Sequence, residues 1–95
     1  MKPIVSQQTR EALKSLMFQK PIKGKETILQ YLKSAKTAGA YAGRAKDVLT
    51  GEEIPGYWLL LSDGVFEWST DEIYYFEKYN IKLEDEFIAH VLKKA

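Results

Sequence analysis

Asp63-Gly64 stands between two β-rich runs, Tyr57-Trp-Leu-Leu-Leu-Ser62 and Val65-Phe-Glu-Trp68. Strand-forming side chains on both sides of a pair suited to positive φ predict a hairpin, and a type I′ turn is expected at Asp63-Gly64. Both faces of the first run are apolar. Trp58 and Leu60 alternate with Tyr57, Leu59 and Leu61. A strand of that kind is central in a sheet or covered on both sides, so other elements must pack against it.

Helical spacing surrounds the hairpin. Val5, Ala12, Leu13, Leu16 and Met17 predict a first helix over 6–18, with Ser6 as N-cap and Pro21 ending the pattern. Ile28, Leu29, Leu32 and Ala35 predict a second, from Lys25 to about Lys36. The small residues of 37–43 lead into an irregular strand expected from Ala38 to Val48, where a glycine marks a bulge or a close backbone approach. After the hairpin, Ser69 or Thr70 caps a third helix whose first turn holds Asp71 and Glu72. Ile73 and Phe76 form its buried edge, and Asn80 suits its left-handed end. Leu83, Phe87, Ile88, Val91 and Leu92 form the stripe of a fourth helix, from about Glu84 to Lys94, with acids first and lysines last.

The expected fold class is therefore α+β. It has two N-terminal helices, a three-stranded antiparallel sheet with the Asp63-Gly64 hairpin, and two C-terminal helices, in one domain over 1–95. The connections are too short for parallel crossovers.

Chemistry is constrained mainly by what is missing. The chain has no cysteine and one histidine, His90. That excludes a disulfide framework, a thiolate zinc site and a cysteine nucleophile, and makes a transition-metal site a poor expectation. His90 falls off the stripe of the fourth helix, which suggests a solvent-facing or rim position. Gly24-Lys25 does not complete a phosphate loop, because position 19 is Gln and position 26 is Glu. The acidic runs Glu52/Glu53, Asp71/Glu72 and Glu84/Asp85/Glu86 read as solvated or dipole-complementing groups. No catalytic residue, cofactor or metal is expected. The longest apolar stretch, Tyr57 to Leu61, is far short of a membrane span, and no signal-like run is present, so the expected compartment is the cytoplasm.

Charge and aromatics point to binding. Residues 1–46 carry a net charge of +8 and residues 47–95 a net of −7. Asymmetry of this kind marks interaction surfaces, or halves that fold against each other. The acidic, tyrosine-rich half suggests a protein partner met through Tyr74, Tyr75, Tyr79, Glu72, Glu77 and Glu84. An alternative is a nucleic-acid surface built from Lys23, Lys25, Lys33, Lys36, Arg44 and Lys46. A molecule with two charged ends can also pair as a homodimer. A small enzyme without metal or cysteine chemistry is the remaining alternative.

The run Leu61-Ser-Asp-Gly-Val-Phe-Glu-Trp68, with Tyr74-Tyr-Phe-Glu-Lys-Tyr-Asn80 and Leu83-Glu-Asp-Glu-Phe87, resembles small bacterial α+β proteins carried in mobile gene cassettes and toxin–immunity loci. The likeness covers 56–88. It implies a bacterial, cytoplasmic protein, and no activity or functional residue comes with it.

Overall fold

The computed structural model describes residues 1–6 and 9–94. It is an α+β fold with four helices and a four-stranded mixed sheet. In chain order the elements are β1 (Lys2–Pro3), α1 (Arg10–Ser15), α2 (Lys25–Ser34), β2 (Lys36–Ala40), β3 (Leu59–Ser62), β4 (Phe66–Ser69), α3 (Thr70–Tyr79) and α4 (Asp85–Lys94).

The sheet corrects the expected three antiparallel strands. Its order is β1-β4-β3-β2, and β1 lies parallel to β4 with Lys2 opposite Phe66 and Pro3 opposite Glu67. The edge position suits Pro3, which has no N–H to donate. Strand β2 is shorter and earlier than expected. It pairs with β3 from Lys36↔Ser62 to Ala40↔Leu59, and a register shift between Thr37 and Gly39 realises the predicted bulge. Residues 41–58 are an excursion closed by the bridge between Lys46 and Glu53.

The hairpin is present, but its turn is displaced by one residue. Pairing of Ser62 with Glu67 and of Asp63 N–H with the Phe66 carbonyl puts Gly64 and Val65 at its centre. Only Gly64 has positive φ (95°), so the expected type I′ turn, which needs two such residues, is not formed. Asp63 instead braces the turn with its side chain. Its Oδ1 accepts from the N–H groups of Val65 (2.9 Å) and Phe66 (2.7 Å). Oδ2 takes the Tyr31 hydroxyl from α2 and the His90 ring nitrogen, at 2.8 Å, from α4. One carboxylate thus fastens the hairpin tip to two helices. Burial raises its pKa, but the hydrogen bonds from Tyr31, Phe66, Val65 and His90 prevail and hold it well below the usual carboxylate range. Replacing Asp63 by Ala is expected to cost roughly 2–4 kcal/mol of stability, measured by urea unfolding. Asp63→Asn should recover part of that loss, because an amide oxygen still accepts.

Alternation along β3 and β4 separates two faces. Leu61, Phe66 and Trp68 turn toward α2 and α4, where the Phe87 ring lies 5.1 Å from Phe66 and 5.5 Å from Trp68. The buried Trp68 Nε1–H donates to the Leu32 carbonyl at 3.1 Å. Leu60, Ser62, Glu67 and Ser69 share the opposite face.

Three helices match the predicted stripes with trimmed ends, whereas the first holds only Ala12 and Leu13 of its predicted stripe. The first begins at Arg10, capped by the Thr9 side chain (3.4 Å to the Ala12 N–H) and not by Ser6. Ile4 and Val5 are fully buried ahead of it, and the Ile4 carbonyl accepts from the Glu84 N–H at 2.8 Å. Phe18, expected inside this helix, sits beyond it at φ 63°, its N–H bonded to the Tyr79 carbonyl at 2.7 Å. The second helix stops at Ser34 because Ala35 is extended. Asn80 ends α3 in the left-handed region, as expected. The fourth helix starts one residue later than expected, at Asp85.

Candidate functional site

The site is a cleft at the N-terminal end of α3. Ser69 is the N-cap, and it closes a reciprocal capping box with Glu72. Glu72 Oε1 accepts from the Ser69 N–H at 3.1 Å and from the Ser69 hydroxyl at 3.0 Å. The other oxygen, Oε2, is closed off from solvent and has no hydrogen-bond partner among the described residues. Two more buried side-chain atoms share that condition, Asp71 Oδ1 and Trp58 Nε1. All three belong to residues lining two adjoining clefts. One, of about 200 Å³, runs between Tyr41, Leu60, Glu67, Asp71 and Glu72. The other, of about 300 Å³, contains Arg10, Trp58 and Asp71, and the two share Leu13.

Each wall has a local cause. Glu67 comes from the sheet face opposite the core, beside Ser62. Asp71 and Glu72 occupy the first turn of α3, where negative charge complements the helix dipole. Tyr41 and Trp58 flank the excursion of 41–58, joined by a Tyr41 N–H to Trp58 carbonyl bond of 2.9 Å. Their rings stack with centroids 4.7 Å apart. Tyr41 is 44% exposed, and the neighbouring Tyr57, at 83%, is the most exposed large hydrophobic side chain among the described residues.

The electrostatics are strongly negative. Only 6% of Glu72 is exposed. Burial pushes its pKa up to about 7, against the pull of its two bonds to Ser69, and the nearby Asp71 and Glu67 charges add to the rise. Tyr41 responds to the same field. Burial raises its hydroxyl pKa, and Asp71, Glu72 and Glu67 raise it further.

The residues predicted from sequence to meet a partner are placed differently. Glu72 is inside, as the capping-box carboxyl. Tyr75 is buried, and its hydroxyl donates to the Lys46 carbonyl (3.0 Å) and accepts from the Val48 N–H (3.2 Å). Tyr74 and Tyr79 are half-buried and donate to Asp47 Oδ2 at 2.7 and 2.6 Å. Asp47 Oδ1 accepts from the Leu49 and Thr50 N–H groups at 2.7 and 3.2 Å. The three hydroxyls therefore clasp the 46–50 loop, where an outward-facing aromatic surface was expected. Glu77 is exposed and pairs with Lys33 at 3.1 Å. Glu84 is half-buried.

The expected basic patch is partly consumed by the other half of the chain. Lys33 is held by Glu77, and Lys25 bonds the Glu77 carbonyl (3.2 Å) and the Asn80 side chain, both on or just after α3. Arg44 reaches Glu53 at 3.9 Å, and Lys46 bridges the same residue through its backbone. Lys23 and Lys36 are exposed. Lys2 with Glu86 joins the two halves again. His90, expected to face solvent or the rim, is half-buried, packed on Phe66 and tied to Asp63. Among the described residues no three His, Cys, Asp or Glu side chains are grouped to hold a metal ion. No helix there is long and apolar enough to cross a membrane.

Sequence reasoning missed this cleft. One part was readable: Ser69-x-x-Glu72 is the capping-box spacing. The approach of Tyr41 and Trp58 depends on β2–β3 pairing and has no local signal.

Fold and site together define a small α+β fold with an acidic, aromatic-walled cleft. No family model, curated protein or solved structure matches the chain.

Proposed function

We propose that this chain is a protein-binding module, of the immunity or antitoxin-like kind and acting in the cytoplasm, whose docking surface is the cleft at the start of α3. One observation carries the reading. Three buried polar atoms without partners among the described residues, Trp58 Nε1, Asp71 Oδ1 and Glu72 Oε2, gather at adjoining clefts beside two exposed tyrosines. A buried polar group without a partner costs about 1–3 kcal/mol, and native structures carry few of them. A docking chain that supplies the missing partners recovers that cost on binding. Tyr and Trp are residue types enriched at interface hot spots, and the negative field favours a basic partner.

A small enzyme draws support from a different observation, the Glu72 carboxyl poised at about 7 in a cleft. Proton transfer also needs a reacting group to serve. The residues lining this cleft include no histidine or lysine, and Ser69 is committed to the capping box. The binding reading accounts for all three atoms, and catalysis for one.

The test is capture from bacterial lysate at moderate salt after nuclease treatment, with wild type beside a Glu67→Lys/Asp71→Lys variant. Both positions are half-buried, so circular dichroism must first show the variant folded. The expected result is one stoichiometric protein retained by wild type and lost by the variant. Equal retention by both would move the surface elsewhere. Material lost on nuclease treatment would favour nucleic acid and the basic half.

A further inference from the structure

Resting on that reading, we infer that the cleft is built for the guanidinium group of a partner's arginine. Two residues lining the cleft carry buried acceptors that lack partners among the described residues, Asp71 Oδ1 and Glu72 Oε2. A guanidinium presents several N–H donors in one rigid plane, whereas an ammonium offers a compact point charge. Beside the acceptors lies the Tyr41–Trp58 stack, and arginine is the cation that packs flat on aromatic rings. Arginine is also the more weakly hydrated cation, which suits a site where the acceptors are already stripped of solvent.

Size and polarity agree. A space of about 200 Å³ is below the roughly 300–1,000 Å³ of pockets that enclose drug-sized ligands, and it suits one side chain. The third orphan atom, the Trp58 Nε1 donor, has no use for a cation but matches a backbone carbonyl of the same incoming segment. Arginine within a peptide thus supplies donors for the carboxylates and an acceptor for the indole.

The charged and titratable groups around Glu72 set the pH response. Asp71 adjoins it on α3, Glu67 faces it from β4, and Tyr41 from the segment after β2, while Arg10 of α1 borders the neighbouring cleft that Asp71 shares. Across the two clefts, the carboxyls of Glu67, Asp71, Glu72 and Asp47 outnumber the cations Arg10 and Lys46 and leave the site negative. With Glu72 poised at about 7, a proton competes with the guanidinium below neutrality. Raising pH from 6 to 8 should therefore strengthen binding about tenfold, following the ionised fraction of Glu72.

The experiment is a titration of the intact protein with ethylguanidinium, and separately with ethylammonium, at pH 6 and pH 8. The Trp58 indole N–H and the amides of 67–72 are followed by NMR. Saturable ethylguanidinium binding is expected, on the order of millimolar for so small a probe, tighter than ethylammonium and about tenfold tighter at pH 8. Glu72→Gln keeps an acceptor for Ser69 and should weaken the site at least ~10-fold and abolish its pH dependence; Asp71→Asn should weaken it while keeping that dependence. No saturable shift, equal affinity for the two cations, or binding indifferent to Glu72→Gln would overturn the assignment. A protein captured through this surface despite a failed titration would overturn only the arginine occupant. A Glu72-dependent guanidinium site in a protein that captures nothing would instead overturn the docking role.

Discussion

Replacing Asp47 by Ala is expected to lower the unfolding free energy by roughly 2–4 kcal/mol, a large share of a small domain's stability. Asp47 is 1% exposed and accepts four hydrogen bonds, two from tyrosine hydroxyls of α3 and two from backbone N–H groups of its own loop. Alanine leaves all four donors without that acceptor. Those of Tyr74 and Tyr79 are half-buried and recover part of the loss from water. Urea unfolding checks this, with a lower midpoint and an unchanged slope as the expected result. Asp47→Asn should lose less than Asp47→Ala. Equal losses would mean that the carboxylate's hydrogen bonds are not what secures the loop. Burial raises the Asp47 pKa, but the bonds from Tyr79, Tyr74, Leu49 and Thr50 outweigh it and hold the carboxyl below its ordinary value. A depressed carboxyl stabilises the fold above its unfolded pKa, near 4. That contribution fades as pH falls through the lower folded value, so it belongs to the acid limb of the stability profile.

Glu72 produces the opposite slope in a separate window. Its folded pKa of about 7 lies above the ordinary 4.5, so between those values the folded chain holds a proton that the unfolded chain has released. Stability should fall as pH rises from about 4.5 to 7 and level off beyond. A shift of that size corresponds to about 3 kcal/mol at full extent. The measurement is urea unfolding at pH 5 and pH 8 for wild type and Glu72→Gln, taking the difference between proteins so that other titrating groups cancel. Wild type should lose stability relative to the variant at pH 8 by an amount of that order. A constant difference across the range would mean that Glu72 is not desolvated as its burial implies.

The two carboxyls show why burial alone predicts neither sign. Little of either is exposed, but Glu72 sits deeper in the protein and receives two donors, both from Ser69, against four for Asp47. The count of donors against the cost of desolvation decides which is depressed and which is raised. An acceptor left over in the second case is also what distinguishes a site from a clasp.

Local chemistry made much of the fold legible. The Asp63-Gly64 pair located the hairpin, the Leu83–Leu92 stripe located α4, and Asn80 marked the end of α3. The losses have physical causes. Two residues, one of them proline, carry no period-2 signal, so β1 was invisible. Ser6 and Thr9 are equally good caps in sequence, and only the burial of Ile4 and Val5 ahead of the helix favours Thr9. The turn moved by one residue because the Asp63 side chain binds the Val65 and Phe66 N–H groups and leaves positive φ to Gly64 alone. Charge segregation was visible, yet sequence did not reveal that Lys25 and Lys33 lie against α3. Tyr74, Tyr75 and Tyr79 looked like a surface because composition cannot show where a hydroxyl points. Asp47 is 27 or more residues away in sequence and gave no sign that it would gather two of them.

Amide and indole shift mapping of the isotope-labelled protein, titrated with the partner it captures, decides whether the cleft is the docking surface. The largest changes are expected at the Trp58 indole N–H, at Tyr41 and Tyr57, and across Glu67 to Glu72. Changes confined to Tyr74–Tyr79, or to the lysines of α2 and the Arg44–Lys46 segment, would contradict that assignment and place the interface on one of the charged surfaces that the sequence first suggested.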